Sequence, residues 1–301
     1  MNFALTGAAG YIAPRHLKAI RDTGNTLVAA LDPHDSVGVL DSFFPQTAFF
    51  TEFERFDRHL EKLRRTSSGE EVDMVSVCSP NHLHDAHIRL ALRVGADVMC
   101  EKPLVLNPWN LDPLVELERE TGKKVHTMLQ LRVHPALLAL REKLARAADT
   151  RHVVELRYVA TRGAWYRYSW KGSEERSGGI VMNIGIHFFD LLLWLFGEVS
   201  SCSVESLDAS AASGTLVHKN ADVKWMLSIR PEDLPPEALH AGRRTWRSIV
   251  IDGTEVEFTD GFVDLHTRVY EITLAGQGFG IEDARPAIEL AYRIRNFRQH
   301  A

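Results

Sequence analysis

The first 128 residues alternate short apolar runs with longer segments whose apolar residues recur at helical spacing. Runs such as Phe3–Leu5 and Leu27–Leu31 are too short for helices and are bounded by polar or glycine-containing breaks, which is typical of buried strands. Because strands connected by helices lie parallel with right-handed crossovers, the pattern predicts a doubly wound parallel sheet. The other predicted strands and helices of this half are Ala48–Phe50, Val72–Val77, Val98–Cys100, Val125–Leu129, Pro14–Thr23, Glu52–Arg65, Asp85–Val94 and Pro108–Thr121.

A different pattern begins near residue 130, where long runs alternate apolar and polar residues. Val223, Trp225 and Leu227 fall on every second position, which is typical of an antiparallel sheet covered on one face. Such a sheet leaves its other face available to other subunits, which favours an oligomer. We predict α+β structure here, with elements at Pro135–Ala147, His152–Thr161, Val199–Leu207, Thr215–His218, Val223–Ile229, Ser248–Ile251, Glu255–Thr259, Leu265–Ala275 and Glu282–Arg298.

Length and composition limit the class of protein. The 301 residues suffice for about two domains, which we place at 1–128 and 129–301. The formal net charge of −5 argues against a broad basic face, so no nucleic-acid partner is expected. Three cysteines without a CxxC spacing favour a reducing cytoplasm. The most apolar window, 180–196, is interrupted by polar residues and is shorter than the ~20 residues of a membrane span, so no membrane partner is expected.

The first predicted strand runs into a glycine turn, GAAGYIA, before the first helix. Small residues there let the backbone approach a pyrophosphate at the helix N-terminus. The GxxGxxA spacing is a variant of the dinucleotide fingerprint, and an ordinary strand–turn–helix would share it. Asp32, 25 residues after Gly7, ends the next strand, where an acid binds ribose hydroxyls and repels a 2′-phosphate. The sequence therefore predicts a site for NAD rather than NADP, with candidate residues Gly7, Ala9, Gly10, Tyr11, Ile12 and Asp32.

Two further predicted strands end in polar motifs. The segment SPNHLHDAH begins at Ser79, and its histidines suggest a metal site, but no distant ligand cluster completes a set of four, so no metal is expected. The next strand ends in Glu101, Lys102 and Pro103. These two charges could be a solvated surface pair. However, the carboxyl edge of a doubly wound sheet is where ligands bind, so we expect Lys102 to face the cofactor.

Four segments in this order, GAAGYIA, SPNHLH, EKP and GGIVMNIGIH, resemble the Gfo/Idh/MocA oxidoreductase family. The resemblance covers nearly the whole chain. It implies an α/β protein with an N-terminal Rossmann domain (a doubly wound parallel sheet) and a C-terminal α+β domain with a large open, mainly antiparallel sheet. It also implies NAD as the cofactor. Beyond the glycine turn, the expected cofactor contacts are Ser79, Asn81, His84, Glu101, Lys102 and Gln130.

Longer passages, including EKPLVLNPWNLD and GQGFGIEDARPAIELAYRIR, are similar to a narrower group within that family. Its members oxidise the C3 hydroxyl of UDP-2-acetamido-2-deoxy-D-glucuronate (UDP-N-acetylglucosaminuronate) in bacterial O-antigen and lipopolysaccharide sugar biosynthesis. The similarity implies the same UDP-sugar as substrate here, and a cytoplasmic homotetramer. Two alternatives stay open, namely another pyranose or polyol dehydrogenase of the family and a non-catalytic NAD-binding regulator.

His187, at the start of an apolar helix, is the candidate general base. Taken alone, it could merely begin the helix. The family pattern has an Asp four residues before this His, but here the position is Asn183. An amide does not take up a proton at neutral pH, so Asn183 can only orient the sugar or cofactor. Lys102 would then donate a hydrogen bond to the reacting hydroxyl.

Substrate recognition is expected from cations and aromatic rings of the second half. A UDP-sugar acid needs cations for its diphosphate and carboxylate and apolar faces for its rings. A solvated basic loop with packing aromatics is the competing interpretation for each of these residues. The GQGFG segment follows a helix rather than a strand, so we expect an interhelix turn there. The candidate substrate residues are Lys102, Arg132, Tyr166, Trp170, Lys171, Asn183, His187, Arg243 and Arg244.

Overall fold

The computed structural model describes residues 1–66, 69–146, 150–258 and 264–297. The chain divides into two compact units, Met1–Gln130 with Asp264–Arg285, and Leu131–Val263 with Pro286–Ala301. The segment 264–285, which the sequence division assigned to the second domain, thus belongs to the first unit. Three residues at the ends of predicted elements, Ala147, Thr259 and Arg298, lie outside the described residues.

The first unit is built on a six-stranded parallel sheet. Its strands are β1 (Asn2–Thr6), β2 (Thr26–Leu31), β3 (Ala48–Phe50), β4 (Met74–Val77), β5 (Asp97–Cys100) and β6 (Val125–Thr127). Helices α1 (Ala13–Asp22), α2 (Phe53–Thr66), α3 (His84–Arg93) and α4 (Leu111–Thr121) connect them. The strand order β3-β2-β1-β4-β5-β6, with all neighbours parallel, confirms the doubly wound sheet. The order reverses between β1 and β4, where such sheets bind ligands at their carboxyl ends.

The central strands β1 and β4 are buried on both faces. Phe3, Leu5, Val75 and Val77 each have 0% exposed surface, which explains why these strands are continuous apolar runs in the sequence. The helices cover the sheet through side chains such as Leu17 of α1, which is also fully buried. The carboxyl ends of β1 and β4 are therefore fixed in position by the packed core around these two strands.

The second unit has its own six-stranded sheet. Its strands are β7 (His152–Ala160), β8 (Val199–Leu207), β9 (Ala211–His218), β10 (Ala221–Ser228), β11 (Thr245–Ile251) and β12 (Thr254–Glu257). Its helices are α5 (Pro135–Ala145), α6 (Trp165–Tyr168), α7 (Glu174–Ser177), α8 (Ile186–Phe196) and α9 (Pro236–His240). In the order β12-β11-β7-β10-β9-β8, β7 and β10 pair in parallel and the other neighbours are antiparallel. This confirms the prediction of a mainly antiparallel sheet.

One face of this second sheet is covered and the other is exposed. Leu156 of β7 and Trp225 of β10 are at most 1% exposed, whereas the intervening Glu155 and Lys224 lie at the surface. Phe189 of α8 packs edge-on against Trp225, with ring centroids 5.3 Å apart. The period-two alternation of the sequence thus follows from burial under α8.

Helix α8 is preceded by one turn of π-helix at Val181–Gly185. The stretch Glu174–Phe196 is long and apolar enough by composition to cross a bilayer, and 72% of its most apolar window is buried inside the protein. Burial of this kind is that of a core helix, since α8 lies against the second sheet.

The remaining helices are α10 (Leu265–Leu274) and α11 (Ile281–Arg295). Helix α10 packs against α1 in the first unit, and its Val269 and Tyr270 are fully buried. The GQGFG segment joins α10 to α11 as predicted, and the carbonyl oxygen of Phe279 accepts a hydrogen bond from the β6 residue Thr127. Residues Asp264–Arg285 therefore belong to the first unit, and the segment at Phe279 lies beside the edge strand β6.

Candidate active site

The glycine turn lies where β1 and β4 approach each other. Gly7 has a φ of +85°, and a Cβ there would lie 2.5 Å from the carbonyl oxygen of Cys78. A Cβ at Gly10 would lie 2.9 Å from the carbonyl oxygen of Gly7. Both positions therefore require glycine, and the turn leads directly into α1.

Asp32 lies at the end of β2, beside this turn. It is 6% exposed, and its carboxylate accepts hydrogen bonds from the backbone N–H groups of Ala9 and His34, both at 2.9 Å. These bonds fix the carboxylate next to the glycine turn, as the prediction of a ribose-binding acid requires. Both are backbone contacts that leave further lone pairs on the oxygens.

The turns after β4 and β5 are tied together by His84. Its Nδ1 lies 2.7 Å from the carbonyl oxygen of Pro103 and its Nε2 lies 2.8 Å from that of Ser79. Burial lowers the pKa of His84 despite these two carbonyl contacts. Both ring nitrogens thus lie against backbone carbonyl oxygens, and the expected contact of His84 with the cofactor stays a prediction.

Glu101 likewise has partners inside the protein. It is 7% exposed, and its Oε1 lies 2.9 Å from His16 Nε2 and 3.1 Å from His266 Nε2. Burial alone would raise the pKa of Glu101, but the hydrogen bonds and charges of the two histidines hold it well below its usual value. Sequence reasoning missed both histidines, since they lie outside every motif. One ligand atom from each of the three residues lies within 4.8 Å of the others, and the hydrogen bonds account for this arrangement.

Lys102 follows Glu101 at the carboxyl edge of the sheet, as predicted. The Lys102–Pro103 peptide bond is cis, and Lys102 N–H lies 3.3 Å from Oε2 of Glu101. The side chain is partly buried. Gln130, just after β6, is 8% exposed, and its side-chain Oε1 has no partner among the described residues. A buried acceptor without a donor is suited to a ligand N–H group, so Gln130 fits the expected cofactor.

In the second unit, the π-helical turn brings two predicted substrate residues together. Asn183 Nδ2 donates a hydrogen bond to the phenolic oxygen of Tyr166 at 3.0 Å. Burial raises the pKa of Tyr166, which is 4% exposed, so its hydroxyl stays protonated. His187 lies one residue into α8 and is partly buried. A π-turn is a frequent feature of functional sites, since it re-aims side chains that a regular helix would turn away.

Tyr166 and Lys171 line a cavity of about 330 Å³ in the second unit, together with Arg295 and the glycine pair Gly178 and Gly179. The ammonium group of Lys171 lies 5.6 Å from the ring centroid of Trp170, a cation–π contact. The lining of this cavity also includes the acids Glu174 and Asp208, so it combines two cations and an aromatic ring with two carboxyl groups.

The predicted arginines are not placed alike. Arg132 forms a two-point ion pair with Asp190 of α8, at 2.6 and 3.1 Å, and the two side chains are only 11% and 2% exposed. The pair with Asp190 occupies two nitrogens of the guanidinium, and the expected contact of Arg132 with the substrate stays a prediction. Arg243 and Arg244 are exposed in the turn before β11.

Comparison with known proteins identifies the class. Residues 1–129 match the oxidoreductase family, NAD-binding Rossmann fold, and residues 152–217 match that family's C-terminal alpha/beta domain. The chain belongs to the Gfo/Idh/MocA oxidoreductase family, which confirms the resemblance seen in its motifs.

Among solved structures, the chain is similar to the WlbA (WbpB) dehydrogenase from Thermus thermophilus. The two are 53% identical over 99% of this chain and 96% of that one, with a TM-score of 0.95. That structure holds NAD and alpha-ketoglutarate, and a second structure of the same dehydrogenase, with equal identity and TM-score, holds NAD and UDP-GlcNAcA. The D-glucoside 3-dehydrogenase of Escherichia coli (strain K12) is 34% identical over 140 residues, which are 44% of this chain. The chain spans 38%, 59% and 56% of the lengths of the first three curated relatives that it matches.

Proposed function

We propose that this chain catalyses the NAD-dependent oxidation of the C3 hydroxyl of UDP-2-acetamido-2-deoxy-D-glucuronate to the 3-keto sugar. The observation that carries the proposal is the 53% identity, over 99% of the chain, to a dehydrogenase whose structure holds NAD and UDP-GlcNAcA. The glycine turn, the fixed carboxylate of Asp32 and the side-chain oxygen of Gln130, which has no partner within the described part of the chain, support NAD as the cofactor.

His187 is the proposed general base, and it takes the proton of the C3 hydroxyl. It lies in the first turn of α8, directly after the π-helical turn Val181–Gly185, which continues the helix on its N-terminal side. Lys102 donates a hydrogen bond to the same oxygen and stabilises the negative charge that grows there as the O–H bond breaks. NAD, when bound, supplies the acceptor for the hydride that leaves C3 as the carbonyl forms. Asn183, held by Tyr166, orients the sugar without competing for its proton.

The nucleotide part of the substrate needs cations beside flat apolar faces. We propose that Tyr166, Trp170 and Lys171 supply them at the cavity described above, and that the exposed Arg243 and Arg244 provide further positive charge. The solvated-loop interpretation of these residues predicts instead that their replacement leaves the KM for the UDP-sugar unchanged.

The resemblance also supports a cytoplasmic homotetramer acting in O-antigen and lipopolysaccharide sugar biosynthesis. The exposed face of the second sheet is consistent with subunit contact. In addition, the complex of the Thermus thermophilus relative with alpha-ketoglutarate supports reoxidation of NADH by a 2-oxo acid without release of the cofactor.

Purified protein should be mixed with the UDP-sugar acid and NAD, with and without alpha-ketoglutarate, while absorbance at about 340 nm and product mass are followed. We expect a product two hydrogens lighter than the substrate, with turnover sustained by the 2-oxo acid at catalytic amounts of NAD. The variants Lys102→Met and His187→Asn should each lose roughly 100-fold or more in turnover, and His187→Asn, which changes no expected cofactor contact, should keep NAD binding.

The same assay separates the alternatives. A polyol or pyranose dehydrogenase would oxidise free sugars in preference to the UDP-sugar. A non-catalytic regulator would bind NAD, measured by calorimetry, and yield no NADH with any sugar. Either result would overturn the proposed function.

A further inference from the structure

A chain of buried side chains runs beneath the strand end that carries Lys102. Ser76 Oγ lies 2.6 Å from the Tyr270 hydroxyl, which lies 2.7 Å from Nδ1 of His16. His16 Nε2 and His266 Nε2 then both reach Oε1 of Glu101. Four of the five residues come from β4, α1 and α10 of the first unit, Glu101 directly follows β5, and none is more than 7% exposed.

The donors in this chain have a consistent direction. An ionised carboxylate only accepts hydrogen bonds, so both Nε2 atoms carry a hydrogen. In the tautomer of His16 that carries its hydrogen on Nε2 alone, Nδ1 is an acceptor, and the hydroxyl of Tyr270 donates to it. Ser76 in turn donates to the oxygen of Tyr270. Every contact is satisfied by this assignment, and all of the hydrogen bonds converge on the charge of Glu101.

The carboxylate of Glu101 is connected directly to the backbone of the next residue. Its Oε2 lies 3.3 Å from the N–H of Lys102, and the Glu101 N–H donates to the carbonyl oxygen of Val77 at 2.9 Å. A buried carboxylate that loses its donors must take up a proton or move toward water. In either event the backbone of Lys102 loses a fixed neighbour.

We propose that His16, His266 and Tyr270 are positioning residues, which hold Glu101 and thereby fix the strand end from which Lys102 reaches the reacting hydroxyl. The inference rests on the proposed role of Lys102, but it concerns residues outside the motifs of the family, one of which, His266, lies 165 positions from Glu101. It predicts that these residues act on turnover without touching substrate.

Matched variants test the proposal. His266→Leu removes the donor to Glu101, whereas His266→Gln retains an N–H near the same place. Tyr270→Phe removes only the hydroxyl at the far end of the chain. Thr273→Val is the control, because Thr273 lies on the same helix, is 5% exposed, and its hydroxyl has no partner among the described residues.

Two quantities should be measured for each folded variant. The first is the change in kcat compared with the change in the KM for NAD. We expect His266→Leu to lower kcat about 10-fold or more, the usual worth of a hydrogen bond to a charged group, with little change in KM. The second is the rate at which an amine reagent labels Lys102, resolved by peptide mass spectrometry. We expect it to rise several-fold in His266→Leu and Tyr270→Phe, and to stay at the wild-type rate in His266→Gln and Thr273→Val.

Labelling of Lys102 at the wild-type rate in both His266→Leu and Tyr270→Phe, each folded, would overturn the proposal. A decrease of kcat in Thr273→Val equal to that in His266→Leu would overturn it too. If His266→Leu does not fold, Tyr270→Phe and His266→Gln carry the comparison. Labelling needs no substrate. If the wild-type protein does not oxidise the UDP-sugar, the proposed function fails, and the labelling rates still decide whether these residues position Lys102.

Discussion

Replacement of Gly7 by alanine is the sharpest test of the glycine turn. The new methyl carbon would lie 2.5 Å from the carbonyl oxygen of Cys78 and 2.7 Å from the backbone nitrogen of Ser79. Both are backbone atoms at the end of a fully buried strand, so they cannot rotate away as a flexible side chain would. Gly24 is the matched control, because its φ of +75° is also left-handed and a Cβ there meets no described atom within 4 Å.

The two variants separate backbone strain from the clash. A left-handed conformation costs alanine roughly 1–2 kcal/mol, and this is the whole effect expected for Gly24→Ala. Forcing a methyl group into a packed region costs about 1–3 kcal/mol more, so Gly7→Ala should lose roughly 2–5 kcal/mol of the free energy of unfolding. Such a loss is a large part of the about 5–15 kcal/mol that stabilises a typical domain.

Urea unfolding followed by circular dichroism gives the free energy of unfolding of both variants, and calorimetry gives their Kd for NAD. We expect Gly24→Ala to bind NAD as the wild type does and Gly7→Ala to bind it at least about 10-fold more weakly. If the free energies of unfolding of the two variants agree within about 1 kcal/mol, the carbonyl of Cys78 moves aside easily and the reasoning about close approach is wrong.

Three further substitutions test other parts of the site. The pKa of Glu101 is held well below the usual 4.5, so its ionised form stabilises the fold above about that pH, and this contribution is lost as the pH falls. Glu101→Gln should therefore weaken the dependence of the urea midpoint on pH at acid pH. Arg132→Met leaves the carboxylate of Asp190 buried without its partner and should cost about 3–5 kcal/mol by urea unfolding, whereas the double variant with Asp190→Leu should cost less. Asp32→Ser removes the charge that repels a 2′-phosphate, so the ratio of Kd values for NADP and NAD should fall roughly 10-fold or more by calorimetry.

Much of the first unit could be predicted from the sequence, because its signals are local. Continuous apolar runs identify strands buried on both faces, and the run Leu27–Leu31 differs from the observed β2 by one residue. The alternation at Val223 and Trp225 likewise revealed a sheet covered on one face. The carboxyl ends of such strands place the glycine turn and Lys102 without any knowledge of the rest of the chain.

The partners of individual side chains could not be predicted in this way. His16 and Tyr270 are 254 positions apart, and no period or spacing links them. Arg132 has the position and charge of an anion-binding residue, yet Asp190, 58 positions away, pairs with it inside the second unit. The proposed pairing of Lys102 with His187 remains a prediction for the same reason, since it joins residues of separate units.

Helix α10 has a consequence for how the protein is made. During synthesis Gly7, Asp32 and Lys102 leave the ribosome first, and His266 follows Lys102 only 164 residues later (266 − 102). Until then Glu101 has His16 but not His266 as a hydrogen-bond donor, and α1 lacks its contact with α10. The unit therefore cannot mature in the order of its own sequence. A fragment cut at residue 130 would stay in that incomplete condition, however faithfully it carried the dinucleotide motif.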